Sequence, residues 1–222
     1  GGRAGGGGLS FDGVNDYVSK PAFSLTGTVI TLSAWVKMTD ALGAKFSIFS
    51  NGVYSNAVGY LELSRQAWGN RLDIGYNEVG SYGMLASAAN FFSSDNVFIH
   101  IVVVCDYTNK IVYFYKNGVL FSTANMTGTP LFPSDDYFQY GGIGRYYTTY
   151  FKGLIDDVRI YNRALSASEV RYQYNQAKPI AQWKMDEGSG NYAYDASGNA
   201  NIGSLYLGGS ATSSAWVSGV YG

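Results

Sequence analysis

The sequence predicts an all-β protein whose short antiparallel strands form a sandwich or barrel, and three observations carry that expectation. Short apolar runs recur along the chain with turn residues between them. Asn117-Gly118 sits between two such runs, Ile111–Tyr115 and Val119–Ser122, and this dipeptide accepts the positive φ of a type I′ hairpin turn. The composition fits as well: 20 Tyr and 29 Gly in 222 residues, with 46 % of the chain hydrophobic and 14 % charged. A core can therefore form, while Ser, Thr, Asn and Tyr supply much of the surface.

Residues 1–8 read as a flexible glycine-rich arm with too little side chain to pack. Thr28–Lys37 alternates so that Ile30, Leu32, Ala34 and Val36 share one face. Phe46–Ser50, Gly59–Ser64 and Arg71–Tyr76 follow as further strands. Val97–Asp106 is almost continuously apolar, as a central strand covered on both faces must be, and Cys105 within it reads as a small core residue. The alternation of Leu154–Tyr161 puts Leu154, Asp156, Val158 and Ile160 on one face. Ser166–Tyr174 is the helix candidate, with Ser166 as N-cap and Glu169 three residues on completing a capping box. Pro179 prevents its continuation.

The length suits one large β domain. A net charge of −1 offers no electrostatic footprint for nucleic acid or an acidic membrane. No apolar run approaches the ~20 residues of a membrane span, so membrane insertion is not expected. The low charge and high Tyr content suit an extracellular protein, and the glycine-rich start without Met reads as a piece processed from a longer precursor.

Several segments carry a family resemblance. They are Leu9-Ser-Phe-Asp-Gly-Val-Asn-Asp-Tyr-Val18, Leu32-Ser-Ala-Trp-Val36, Phe98 through Val119, and Gly153 through Glu169. The tail adds Ile180-Ala-Gln-Trp-Lys-Met-Asp-Glu-Gly-Ser-Gly190 and Asp195-Ala-Ser-Gly-Asn-Ala-Asn201. Together they resemble the laminin-G-like, concanavalin A-type domains. The resemblance implies an antiparallel two-sheet jelly-roll sandwich of the lectin/glucanase type with one short helix near 166–175. In that family the tail's motifs come first, whereas here they come last. The implied organisation is an arm (1–8), a main body (9–177) and displaced opening strands (178–222), which complete the same fold in cis or a neighbouring subunit in trans.

The displaced tail sets the leading functional expectation. Leaving Ile180, Trp183, Met185, Ile202, Leu205, Leu207 and Trp216 uncovered would forfeit on the order of 10 kcal/mol of burial, comparable with a domain's whole stability. Pairing in trans would assemble copies of the chain head-to-tail into extracellular filaments. The alternative is a glycan-binding adhesion module of a tandem cell-surface array, with Trp68, Tyr82, Tyr146, Tyr147 and Tyr150 as the aromatic platform.

Catalysis finds no support. The acidic pairs Asp135-Asp136, Asp156-Asp157 and Asp186-Glu187 are adjacent in sequence, so on strands they point to opposite faces and cannot flank a sugar as hydrolysis requires. His100 is the lone histidine and no serine lies in a nucleophile elbow, so it reads as a structural, hydrogen-bonded residue. With one Cys besides, no ordinary zinc cage can form. Calcium is the one cofactor to weigh, with Asp156, Asp12, Asp16, Asp186, Asp195 and Asn199 as oxygen ligands. Against it stands simple Asx-turn chemistry at Asp12, Asp195 and Asn199.

Overall fold

A computed structural model of the chain describes residues 8–20, 27–39, 46–51, 61–66, 70–78, 81–93, 96–127, 138–140, 150–175, 181–197 and 200–205. They divide into two units, Gly1–Tyr174 and Asn175–Gly222, and each is taken by itself below.

The strands of the first unit are Leu9–Asp12 (β1), Val18–Lys20 (β2), Val29–Met38 (β3), Phe46–Asn51 (β4), Leu61–Gln66 (β5), Arg71–Glu78 (β6), Ser81–Ala88 (β7), Ile99–Asp106 (β8), Ile111–Lys116 (β9), Val119–Asn125 (β10), Phe138–Tyr140 (β11) and Lys152–Tyr161 (β12). They build two antiparallel six-stranded sheets, sheet A in the order β1-β12-β3-β8-β9-β10 and sheet B in the order β2-β11-β4-β5-β6-β7. The two-sheet sandwich, with a single short helix among the described residues, is the architecture that the resemblance implies.

Burial explains the layering. Ile30, Leu32, Ala34 and Val36 of β3 face the space between the sheets, together with Ile99, Ile101, Val103 and Cys105 of β8. Leu61, Leu63, Leu72 and Ile74 meet them from sheet B. Each such side chain contributes about 1.5–3 kcal/mol on full burial. The alternate residues of β8, Val102 and Val104, are buried too, in a second cluster with Tyr115, Leu165 and Val170. Val170 belongs to helix α1, Ala167–Asn175, so β8 is covered on both faces, as its unbroken apolar run predicts. Burial pushes the Cys105 thiol up to about 12, as expected of an inert core sulfur.

Local chemistry sets the turns. The Ser166 amide donates to Glu169 Oε2 at 2.8 Å and the Glu169 amide to Ser166 Oγ at 3.3 Å, completing the capping box that starts α1. The Arg163 guanidinium beside Glu169 holds that carboxyl down at about 2. Between β9 and β10, Asn117 (φ 52°) and Gly118 (φ 79°) take the paired positive φ of a type I′ turn, and Val119 pairs with Lys116.

One expectation fails. Strict alternation along β12 would put Asp156 with Val158 and Ile160 on the apolar side. Instead Ile155 pairs with buried Val36, whereas Asp156 pairs with Trp35 and the register then shifts before Arg159 pairs with Ser33. Trp35 stacks on Tyr174 of α1 at 5.4 Å, so Asp156 lies on the helix-bearing face. The switch is a β-bulge in which Asp157 takes φ 48°. Beyond it Val158 and Ile160 pack against the inter-sheet core. The Asp156 carboxylate needs no cation to offset core burial, and it accepts the Asp157 amide at 2.8 Å.

In the second unit Tyr192–Ala193 (β13) pairs with Gly203–Ser204 (β14), and Trp183 bridges to Asp195. Asp195 is its organiser. Its carboxylate accepts the amides of Gln182, Ser197 and Asn201 and the Ser197 hydroxyl, all at 2.7–2.9 Å. The Ser197 hydroxyl and these amides hold its carboxyl well below the usual range.

Gly153, the second residue of β12, takes φ 143°, and a Cβ there would run into the Lys37 carbonyl and the Met38 backbone of β3. Gly153→Ala is expected to cost about 2–4 kcal/mol in urea unfolding, from backbone strain and overpacking. A loss below about 0.5 kcal/mol would contradict this account of the β3–β12 approach.

Candidate functional site

The positions of sheet B that alternate with its core residues carry polar side chains, and Ser47, Ser50, Ser64 and Asp73 among them are buried. Along β4 to β7, cross-strand partners run Ser47↔Ser64, Ser64↔Asp73 and Asp73↔Ser87. Neighbouring strands lie ~4.8 Å apart, so this is one row of hydroxyls with a carboxylate inside it. The inward positions beside the row, Leu63, Leu72, Ile74 and Ala86, belong to the core. Arg71 Nη2 donates to Asp73 Oδ2 at 3.1 Å, with Asp73 buried and the Arg71 side chain 34 % exposed.

The adjoining register row holds Ser50, opposite Glu62, which is itself opposite Gly75. Gly75 is flanked along β6 by Asp73 and Asn77, so a gap in side chains lies beside the carboxylate. A glycine inside a strand often marks a bulge or a close approach to the backbone, and here the β6–β7 register shifts between Ile74 and Gly75. Two buried polar atoms, Ser50 Oγ on the second row and Arg71 Nε beside the first, have no hydrogen-bond partner among the described residues. Buried groups of that kind call for a ligand or water to satisfy them. The arrangement offers donors and acceptors at strand spacing.

The sequence did not single out this row. Each of its residues occupies an outward position of a strand whose inward neighbours are apolar, and that alternation was the signal available.

His100 lies on the opposite sheet, beneath α1. Its Nε2 is 3.3 Å from Ser33 Oγ, Ser33 donates to Gln173 Oε1 at 3.2 Å, and Gln173 Nε2 donates to Tyr161 OH at 2.7 Å. The ring packs 5.0 Å from Trp35. With the Ser33 proton given to Gln173, Nε2–H completes the bond to Ser33. Nδ1 has no hydrogen-bond partner among the described residues, so the acid of a Ser-His-Asp triad is missing. Both Ser33 and His100 are buried, in keeping with a structural His. Desolvation, aided by the Arg159 charge, lowers its pKa from 6.5 to about 4.

The calcium candidates are divided between the two units. Asp12 and Asp16 share one loop, where Asp16 Oδ2 accepts the Asp12 amide at 2.8 Å and Asp12 Oδ1 accepts the Val14 amide at 2.7 Å. Asp156 sits at the β12 bulge, and Asp186 and Asp195 belong to the second unit. Asn199 lies outside the described residues. At Asp12 and Asp195 the observed contacts are those of Asx turns. Among the described residues no three His, Cys, Asp or Glu side chains are grouped to hold a metal.

Of the aromatic platform, Trp68, Tyr146 and Tyr147 lie outside the described residues, as do Ile180, Leu207 and Trp216 of the tail. Tyr82 holds the β7 position opposite Asn77 of β6, and Tyr150 is half-buried ahead of β12. In the second unit Trp183 donates Nε1–H to the Asn201 carbonyl at 2.7 Å, and the Leu205 amide donates to the Asn191 carbonyl at 2.8 Å. Trp183, Met185 and Ile202 are 44 %, 57 % and 54 % exposed. No described helix is long and apolar enough to cross a membrane.

A family model of laminin G type, described as the concanavalin A-like lectin/glucanases superfamily, matches residues 12–171. No curated protein matches the chain. Among solved structures, it is similar to CBM40 of the Ruminococcus gnavus IT-sialidase, with a TM-score of 0.56 and 17 % identity over 75 % of this chain and 96 % of that one. That module was also solved bound to α2,3-sialyllactose. Domain 4 of AbnA, a GH43 extracellular arabinanase from Geobacillus stearothermophilus, in complex with arabinotriose, gives a TM-score of 0.52 and 22 % identity over 69 % of each chain. The NanB sialidase from Streptococcus pneumoniae, as its K499G mutant, gives 0.59 and 19 % identity, over 84 % of this chain and 30 % of its own. At these identities the likeness establishes the fold.

The His100 environment makes stability depend on pH. A lowered folded-state pKa means that the unfolded chain binds the proton more readily, so stability is lost as pH falls from about 6.5 to about 4. Between pH 7 and pH 4 the wild-type advantage over His100→Gln is expected to shrink by about 3 kcal/mol in urea unfolding. A difference that stays flat with pH would mean that His100 is not held neutral.

Proposed function

Since the chain belongs to the concanavalin A-like lectin/glucanases superfamily, we propose that it is a non-catalytic extracellular carbohydrate-binding module that holds glycans on the outward face of sheet B. The observation that carries this reading is the exposed edge of that row, where the Arg71 side chain, 34 % exposed and held by Asp73, and the half-buried Ser87 lie beside the buried Ser47, Ser64 and Asp73. Sugars present hydroxyls that both donate and accept, and a positioned guanidinium beside a serine hydroxyl can meet them in kind. The glycan-bound neighbours, one with sialyllactose and one with arabinotriose, support the class of ligand. The adhesion role expected from the sequence follows if such modules stand in a cell-surface array.

A second reading concerns the tail, and a specific observation favours it. By itself the second unit has strands of two residues each, with Trp183, Met185, Tyr192, Tyr194 and Ile202 all 44–58 % exposed. So small a sheet does not stand alone in water. Burial of these residues against another protein surface, in this chain or in a second copy, is the step that head-to-tail assembly requires. Sedimentation and electron microscopy of the chain with and without residues 180–222 test it. Polymers that vanish on deletion are expected, and a stable full-length monomer at high concentration would sink the idea.

For the principal reading, an immobilised glycan array should give saturable binding. Arg71→Ala should weaken it about tenfold, the worth of one charge-assisted hydrogen bond, while the far-ultraviolet spectrum is unchanged. Silence across the array counts against carbohydrate binding altogether.

A further inference from the structure

Resting on the proposal that the chain works outside the cell, we infer that Asn125 is an acceptor for an N-linked oligosaccharide, placed where the glycan stands over the exposed edge of sheet A.

The sequence supplies the acceptor and the fold leaves room for it. Asn125-Met126-Thr127 has the form Asn-x-Ser/Thr with a residue other than proline in the middle. Every other asparagine of the chain lacks Ser or Thr two residues on. Asn125 is the last residue of β10, the strand that ends sheet A, and it is exposed. Successive side chains on a strand point to opposite faces, and the residues on either side of it, Ala124 and Met126, pack on the inter-sheet core. Asn125 therefore faces outward. The chain beyond it is held in place, since the Met126 amide donates to the Lys110 carbonyl at 2.9 Å and the Thr127 amide to the Leu85 carbonyl at 3.1 Å. No hydrogen bond among the described residues engages the Asn125 side chain. Thr123, two residues back on the same face, is exposed too, so added bulk meets solvent rather than packed side chains.

The edge itself is the second observation. β10 reads Val-Leu-Phe-Ser-Thr-Ala-Asn, without the charges or proline that commonly guard an edge strand. Val119, Leu120 and Phe121 are 54 %, 47 % and 40 % exposed. The register shift between Leu120 and Ser122 interrupts the edge midway, and Thr123 to Asn125 beyond it carry no guard of their own. A hydrated oligosaccharide on Asn125 occupies the space that an added strand would need there. Attachment is a transfer from a lipid-linked oligosaccharide diphosphate. The Asn125 amide nitrogen bonds to the anomeric carbon, the bond from that carbon to the diphosphate oxygen breaks, and an amide proton is lost as the lipid diphosphate leaves.

The test places the full chain behind a cleavable secretory signal and translates it into microsomes that supply the transferase and its donor. Mass spectrometry of the protease-protected fraction should show a gain of one oligosaccharide, removed by peptide N-glycosidase with a carboxyl left at position 125. Asn125→Gln and Thr127→Ala should each abolish the gain, and Thr127→Ser should restore it. The glycosylated chain should melt no lower than the unmodified one. A protected chain of unmodified mass, or a gain that survives Asn125→Gln, would overturn the inference. So would a Tm several degrees lower with the glycan in place, since the fold would then have no room for it. The carbohydrate-binding reading is judged apart, on the glycan array with the Asn125→Gln protein, so neither result decides the other.

Discussion

Burial of sheet A on both faces is the constraint from which the rest of the body follows. Sheet B covers one side of β3 and β8, and α1 with Leu165 covers part of the other. Residues of both parities on β8 are therefore buried from Ile99 to Cys105, and polar side chains there must find partners within the protein. Ser33, His100, Gln173 and Tyr161 do so as a chain of hydrogen bonds. A buried network of this kind orients the helix, but it leaves no face on which a large ligand could rest. On sheet B the inward residues fill the core and the outward Ser47, Ser64 and Asp73 are buried as well, with Arg71 reaching solvent beside Asp73.

The β12 bulge reconciles two demands on one strand. Ahead of it, Ile155 must point into the core opposite Val36. Beyond it, Val158 and Ile160 must do the same, although strict alternation from Ile155 would turn both away. One extra residue in the left-handed region, Asp157, resets the parity. The same step brings Arg159 opposite Ser33 and within 2.7 Å of Asp157. The Arg159 charge thus reaches the His100 environment and reinforces the neutral imidazole.

Much of the fold was legible because it is written in local patterns. The alternation of β3, the unbroken apolar run of β8, the Asn117-Gly118 turn and the Ser166/Glu169 capping box each act over a few residues. The bulge was not legible, since a parity switch depends on which partner residues a strand meets across the sheet. The polar row stayed hidden for a related reason. Ser47, Ser64, Asp73 and Ser87 are scattered over 41 residues of sequence, and only strand register lines them up. Carboxylates were sought as neighbours in sequence, whereas a sheet gathers its chemistry across strands.

A buried serine row with one carboxylate is a poor way to stabilise a sheet. Replacing such groups by close-fitting apolar side chains is often neutral or stabilising, because each polar group gives up hydration that its partners only partly restore. The Arg71–Asp73 pair makes this sharper, since one partner is half in water and the other is buried. A pair in that position gains little net stability, yet removing Arg71 would take one partner from a buried carboxylate. The hydrogen-bonding pattern is held at fixed strand spacing on a rigid support, with donors still unfilled at Ser50 and Arg71. A preorganised surface of this sort spends little on ordering itself when a ligand arrives. Groups that Arg71 and Ser87 present at the edge of the row are therefore already fixed in place by their strands.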